Sequence, residues 1–197
     1  MSLTKQARVL KGSHTRLILK YLETRRNISR NKVIFLLSVK AGLRAKEIAH
    51  LRWDMLLNSA GEIDRKIRLT NSATKGVSGR VIPVNRDLSL ALGNLLSEQQ
   101  GKYRVLPITV VTTERSFKTT PQVIVNLFRG WYADLGLKGC SSHSGRRTFI
   151  TNTARKISTV GGSIRDVQYL AGHKSLKTTE RYIDYSPSAQ IRVIDLV

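Results

Sequence analysis

The sequence predicts a mainly α domain with a small antiparallel β-sheet on one side, an α+β arrangement. Three observations predict it. Apolar residues recur at intervals of three and four over most of the chain, residues 65–84 change to an alternating β texture, and glycines fall where the helical runs stop. At 197 residues, 41% of them hydrophobic, the chain is long enough to bury a real core, and a single domain spanning residues 1–197 is expected.

After a basic, poorly periodic start, residues 31–41 read as a helix with Val33, Ile34, Leu36 and Leu37 apolar and Gly42 placed to end it. Arg44 then opens a second helix in which Ile48, Leu51 and Met55 fall on one face. Within residues 65–84, Lys66-Ile67-Arg68-Leu69-Thr70 and Arg80-Val81-Ile82-Pro83-Val84 flank a turn region holding Gly76 and Gly79, which gives a hairpin with Lys75 near its tip. A helical pattern resumes over residues 87–99 through Leu88, Leu92, Leu95 and Leu96. Thr120-Pro121 opens another that runs to about Leu135, with Gly136 as its stop. Residues 105–111 fit a strand or a buried loop equally well. The last third reads as three helices, about residues 143–157, 163–171 and 175–184, separated by Gly161-Gly162 and Gly172. Trp53 and Trp131 are read as core.

Lys and Arg number 34 against 13 acidic residues, a formal charge of +21, far beyond what solubility needs. The basic residues are spread along the chain, as expected of a folded surface that faces phosphate. Nucleic acid is the leading partner; a solvated basic surface or packing against structural RNA is the competing reading. The single cysteine, Cys140, has no intramolecular partner and no Cys/His cluster has zinc spacing, so no metal is expected and a reducing, cytoplasmic setting fits. No apolar run approaches the roughly 20 residues that cross a bilayer, so no membrane association is expected.

Cutting a phosphodiester without a metal needs a nucleophile, cations on the nonbridging oxygens and a proton donor for the leaving alkoxide. The sequence offers each. Arg44 follows Gly42-Leu43; Lys75 lies in Thr74-Lys75-Gly76; His143 and Arg146 form His-Ser-Gly-Arg; His173 lies in Leu170-Ala171-Gly172-His173; Tyr182 follows nine residues later. Taken singly, each has a plainer reading. A glycine-turn lysine is commonly a solvated loop residue, and Arg68 or Arg80 would serve phosphate in place of Lys75. A Gly-His pair often marks an ordinary helix end. Arg147 competes with Arg146, but one residue along a helix turns it by about 100°, towards solvent or the DNA backbone. Tyr185 competes with Tyr182.

That order and spacing resemble the tyrosine recombinases, also called phage-type integrases, from about residue 3 to Tyr182, and correspond to the catalytic domain of that family alone. The resemblance implies the tyrosine recombinase catalytic-domain fold and a site-specific DNA recombinase acting in the cytoplasm at the nucleoid. Arg44, Arg146, His143 and His173 would clamp the scissile phosphate, and Lys75 would be the general acid. Tyr182 would attack to give a 3′-phosphotyrosine, with the histidines helping to move its proton. Glu47, three residues after Arg44, matches the family's acidic position and would orient the active-site arginine and histidine. The implied partner is double-stranded DNA, bound by a self-associated tetramer, with no cofactor.

The alternatives are a type IB topoisomerase-like enzyme that relaxes DNA and a non-catalytic DNA-binding relative. Gly145 departs from the leucine frequent at that position in the family and is expected to loosen packing locally. No N-terminal core-binding domain is read in this chain, as in an excised catalytic domain or a compact relative like the pilus-phase invertases. Residues 185–197 form a short, mostly apolar tail too small to be stable alone, expected to dock on a neighbouring protomer on DNA, and to dock on its own chain or be disordered without DNA.

Overall fold

A computed structural model describes residues 6–71, 79–183 and 187–195. Its order is α1 (Gly12–Glu23), α2 (Ile28–Ala41), α3 (Ala45–Ala49), a 3-10 turn at Trp53–Met55, and strands β1 (Lys66–Leu69) and β2 (Arg80–Pro83). Then come α4 (Arg86–Lys102), α5 (Pro121–Asp134), α6 (Ser144–Lys156) with a 3-10 extension at Ile157–Val160, α7 (Ile164–Ala171), α8 (Leu176–Glu180) and α9 (Pro187–Ile194). The mainly helical domain with one small sheet is what the sequence leads one to expect. Among the described residues, no helix is long and apolar enough to cross a membrane.

Helix α2 is the spine of the core. Val33 to Leu37 are all buried, because α4 packs on one side of α2 and α6 on another. Gly42, at φ +67°, ends α2 in the left-handed conformation that a side chain resists. A Cβ there would also lie 2.9 Å from Cε1 of Phe149 on α6, so glycine is required twice over. The strands pair antiparallel, Ile67 opposite Ile82 and Leu69 opposite Arg80, and these four residues form the buried face. Helix α5 starts where Thr120-Pro121 indicates, with Thr120 Oγ1 accepting from the Val123 amide at 3.3 Å. Trp53 and Trp131 are core. Residues 105–111 form a loop that touches one neighbour in strand fashion, with the Val110 amide donating to the Leu51 carbonyl. A second, smaller apolar cluster joins α6 and α7 through Ile150, Val167 and Ala171, and the Tyr182 ring packs against it.

Three expectations need correction. The N-terminal stretch is not irregular: α1 buries Ile18 and Leu22, a seam so sparse that its basic neighbours hide the period. The helix opened by Arg44 ends at Ala49, and Leu51 and Met55 reach the core from a loop and a 3-10 turn. Gly145 tightens packing instead of loosening it. A Cβ there would meet Ser38 Cβ at 2.9 Å and its backbone carbon at 3.2 Å, so α6 approaches α2 this closely only because the side chain is absent. In the tail, residues 187–194 are helical, with Ile191, Val193 and Ile194 exposed.

Candidate active site

The site is built around the C-terminal end of α7. The last carbonyls of a helix have no partner within it and carry the negative end of its dipole, so they suit cations. Here three successive carbonyls each take an arginine. Arg80 Nε donates to Leu170 O at 2.9 Å, Arg146 Nη2 to Ala171 O at 2.6 Å and Arg44 Nη2 to Gly172 O at 3.3 Å. Arg146 Nη1 also donates to Gly42 O at 2.6 Å, so one guanidinium bridges the turn after α2 and the end of α7. Gly172, at φ +61°, ends α7 in the left-handed form, and a Cβ there would lie 2.9 Å from the Arg80 guanidinium carbon.

Glu47 sits beneath this cluster, 1% exposed, and its carboxylate is fully used. Oε1 accepts from Arg44 Nη1 at 2.8 Å and Arg80 Nη1 at 2.9 Å; Oε2 accepts from the Arg44 amide at 2.8 Å and Arg80 Nη2 at 3.2 Å. Burial works to raise its pKa, but the hydrogen bonds and charge of Arg80, joined by Arg44, outweigh that and hold it below the ordinary carboxylate value. Among the described residues Glu47 meets arginines and no histidine, so only half of the expected orienting role has a contact behind it. One carboxylate against Arg44, Arg80 and Arg146 leaves the cluster at 3 − 1 = +2. Burial, then the charge of Arg44, brings Arg146 down to about 9, still cationic at neutral pH. An anion placed here would relieve that strain.

Beside the cluster is a cleft of about 390 Å³ lined by His143, Arg146, Arg147, Arg181 and Tyr182 among others. Tyr182 is half-buried. Its ring stacks on the His173 imidazole, centroids 5.6 Å apart and planes at 25°. His173 Nδ1 lies 2.9 Å from Thr179 Oγ1, and the Tyr182 amide donates to the Thr179 carbonyl at 3.0 Å. Burial, followed by the charges of Arg146, Arg44 and Arg80, lowers the His173 pKa to about 4, so the ring is neutral at physiological pH. His143 and Arg146, one helical turn apart, both face the cleft, His143 exposed and Arg146 buried.

The structure therefore brings together Arg44, Glu47, His143, Arg146, His173 and Tyr182; Lys75 and Tyr185 lie outside the described residues. Arg147 does not turn away from the site as expected. Its guanidinium is 5.6 Å from the Tyr182 ring centroid and bonds Gln6, because the last turn before Tyr182 folds back over α6. Arg80 is the residue that sequence reasoning undervalued. Its signal was the strand alternation, which puts position 80 in phase with Ile82 on the inward face, where an arginine needs a buried partner. No group of three or more His, Cys, Asp or Glu side chains able to hold a metal occurs among the described residues.

The profile of the phage integrase family matches residues 8–188. The chain belongs to the phage integrase family. Similar members include tyrosine recombinase XerC of Myxococcus xanthus, 30% identical over 159 residues, which cover 78% of this chain and 49% of that protein. XerC of Syntrophus aciditrophicus is 26% identical over 84% of this chain and 52% of its own length. The chain thus spans about half the length of these relatives. Among solved structures, the XerA recombinase crystal structure superposes with a TM-score of 0.74 at 20% identity over 95% of this chain and 64% of that one. A Tn1549 transposon integrase in complex with circular intermediate DNA gives 0.76 at 17% identity over 99% and 67%. At these identities the superpositions establish the shared fold.

Proposed function

We propose that this phage integrase family chain is a site-specific recombinase that cleaves and rejoins DNA strands through a 3′-phosphotyrosine at Tyr182. The observation that carries the reading is the placement of a half-buried tyrosine in one cleft with Arg146 and His143, beside a buried cluster holding two uncompensated positive charges. The +21 charge supports a DNA partner, as do the recombinases and integrase bound to DNA among its structural neighbours.

Tyr182 Oη passes its proton to His143, which lines the same cleft, and attacks the scissile phosphorus; the P–O5′ bond breaks, and the strand's 3′-phosphate becomes joined to the protein. Arg44, oriented by Glu47 and the Gly172 carbonyl, and Arg146, oriented by the Gly42 and Ala171 carbonyls, hold the nonbridging oxygens as charge builds in the pentacoordinate transition state. His143 and His173 complete the clamp, and Lys75 gives a proton to the leaving 5′ oxygen. Because the bond to phosphorus is exchanged and not hydrolysed, a 5′-hydroxyl from a second strand reverses the step without ATP. The exposed Ile191, Val193 and Ile194 on a helix three residues beyond the described part of the Tyr182 segment favour docking of α9 on a neighbour in a tetramer assembled on DNA. We place that assembly in the cytoplasm, at the nucleoid.

The test is a pool of nicked duplexes with randomised sequence around the nick, incubated with the protein and run on a denaturing gel. A protein–DNA adduct recovered from a subset of sequences is expected, and two such sites should then exchange strands in one reaction. Relaxation of supercoiled plasmid without strand exchange would instead indicate a topoisomerase, and DNA binding without any adduct a non-catalytic relative.

A further inference from the structure

Thr179 is fully buried on α8, one turn before Tyr182, and its hydroxyl has a single hydrogen-bond partner among the described residues, Nδ1 of His173 at 2.9 Å. A neutral imidazole has one protonated and one bare nitrogen, and the hydrogen bond made by one fixes the role of the other. The two possible arrangements differ in how well they satisfy the pair. If Nδ1 carried the proton and donated to Thr179, the hydroxyl hydrogen would be buried with no acceptor, at a cost of about 1–3 kcal/mol. If Thr179 donates to a bare Nδ1, the one bond satisfies both groups and the proton sits on Nε2, which has no hydrogen-bond partner among the described residues. Resting on the function proposed above, we infer that Thr179 is a positioning residue: its hydroxyl selects the Nε2–H tautomer of His173, so that His173 meets the scissile phosphate as a hydrogen-bond donor.

Two further observations favour this assignment. His173 is held neutral by burial and the nearby arginines, so the identity of the tautomer matters at working pH, whereas an imidazolium would donate from both nitrogens regardless. The same residue fixes the nucleophile's backbone, since its carbonyl accepts from the Tyr182 amide. Thr179 thus sets the donor by its side chain and the nucleophile by its main chain, and the stacked rings of His173 and Tyr182 keep the two in register. A consequence is that His173, already protonated on its free nitrogen, is not the base that removes the Tyr182 proton.

The test combines spectroscopy and kinetics on the full chain. In ¹⁵N-labelled protein at pH 7, two-bond ¹H–¹⁵N correlations distinguish protonated from bare ring nitrogens, and the His173 signals are assigned by their loss in His173→Gln. The wild type should show a protonated Nε2 and a bare Nδ1, Thr179→Ser should preserve that pattern, and Thr179→Val should give a mixture. On a nicked duplex that traps the adduct, Thr179→Val should slow cleavage by about tenfold, the scale of one hydrogen bond to a charged group. DNA affinity should remain within about twofold and Thr179→Ser should recover most of the rate. A proton on Nδ1 in the wild type would overturn the inference, as would a Thr179→Val protein with unchanged tautomer and unchanged rate. Absence of cleavage by the wild type would overturn the proposed function instead, while the nitrogen spectra would still decide the tautomer.

Discussion

Replacing Glu47 with glutamine tests whether the arginine cluster depends on one buried carboxylate. The substitution keeps the shape of the side chain and removes its charge. In the wild type, four donors from Arg44 and Arg80 converge on the two oxygens at 2.8–3.2 Å. An amide offers one acceptor oxygen and turns an NH₂ group towards donors that already point at it. Arg80 is 4% exposed and has no route to water, whereas Arg44 is partly exposed and can relax. Removing one partner of a buried pair costs about 3–5 kcal/mol, and the freedom of Arg44 places this case near about 3. In a domain of this size that corresponds to a fall of about 6–12 °C in melting temperature. Urea titrations of the two proteins measure it. Because Glu47 has a folded pKa below its ordinary 4.5, the unfolded chain binds its proton first as pH falls. Its contribution is therefore complete above about pH 4.5 and is lost as pH drops through the lower folded value. Glu47→Gln should flatten that acid limb. The double variant Glu47→Leu/Arg80→Met, which removes both members of the buried ion pair, should be more stable than Glu47→Gln alone. A loss below about 1 kcal/mol in the single variant, with an unaltered acid limb, would mean that the carboxylate is screened and that the arginine cluster does not depend on it.

Three other outcomes follow from the same structure. Gly145→Leu should cost about 1–3 kcal/mol by forcing α6 off α2 at Ser38, visible as a lower urea midpoint. Arg44→Ala and Arg146→Ala should each slow adduct formation by at least about 10²-fold, the scale of losing one oxyanion donor, while DNA still binds in gel-shift assays. Deleting residues 187–197 removes the exposed Ile191, Val193 and Ile194 and should spare binding to one site while impairing two-site recombination. Recombination by the truncated chain at the full-length rate would contradict the docking of α9 on a neighbouring protomer.

Much of the site was legible in the sequence because its residues stand at element boundaries, where local rules are strong. Gly42 and Gly172 mark left-handed helix ends, and Arg44 and His173 follow them within two residues. His143 and Arg146 occupy one helical turn. What was not legible depends on contacts between distant segments. Arg80 reads as one strand arginine among others until the hairpin is laid against α7. Arg147 points away by helical geometry alone, and only the fold-back of the chain at Tyr182 brings the two together. Gly145 looks like lost packing until Ser38 of α2 is seen filling its place. Helix α1 buries too few residues for its period to stand out from its charges.

The central claim is that Tyr182 is the nucleophile, and the most direct measurement is the identity of the tyrosine in a trapped covalent adduct. The protein is incubated with nicked duplex, the complex is digested with protease and nuclease, and the nucleotide-bearing peptide is sequenced by mass spectrometry. The account predicts the modification on Tyr182 in the wild type, and in Tyr182→Phe no adduct with DNA affinity retained. A phosphonucleotide on Tyr185, or an adduct that persists in Tyr182→Phe, would contradict it.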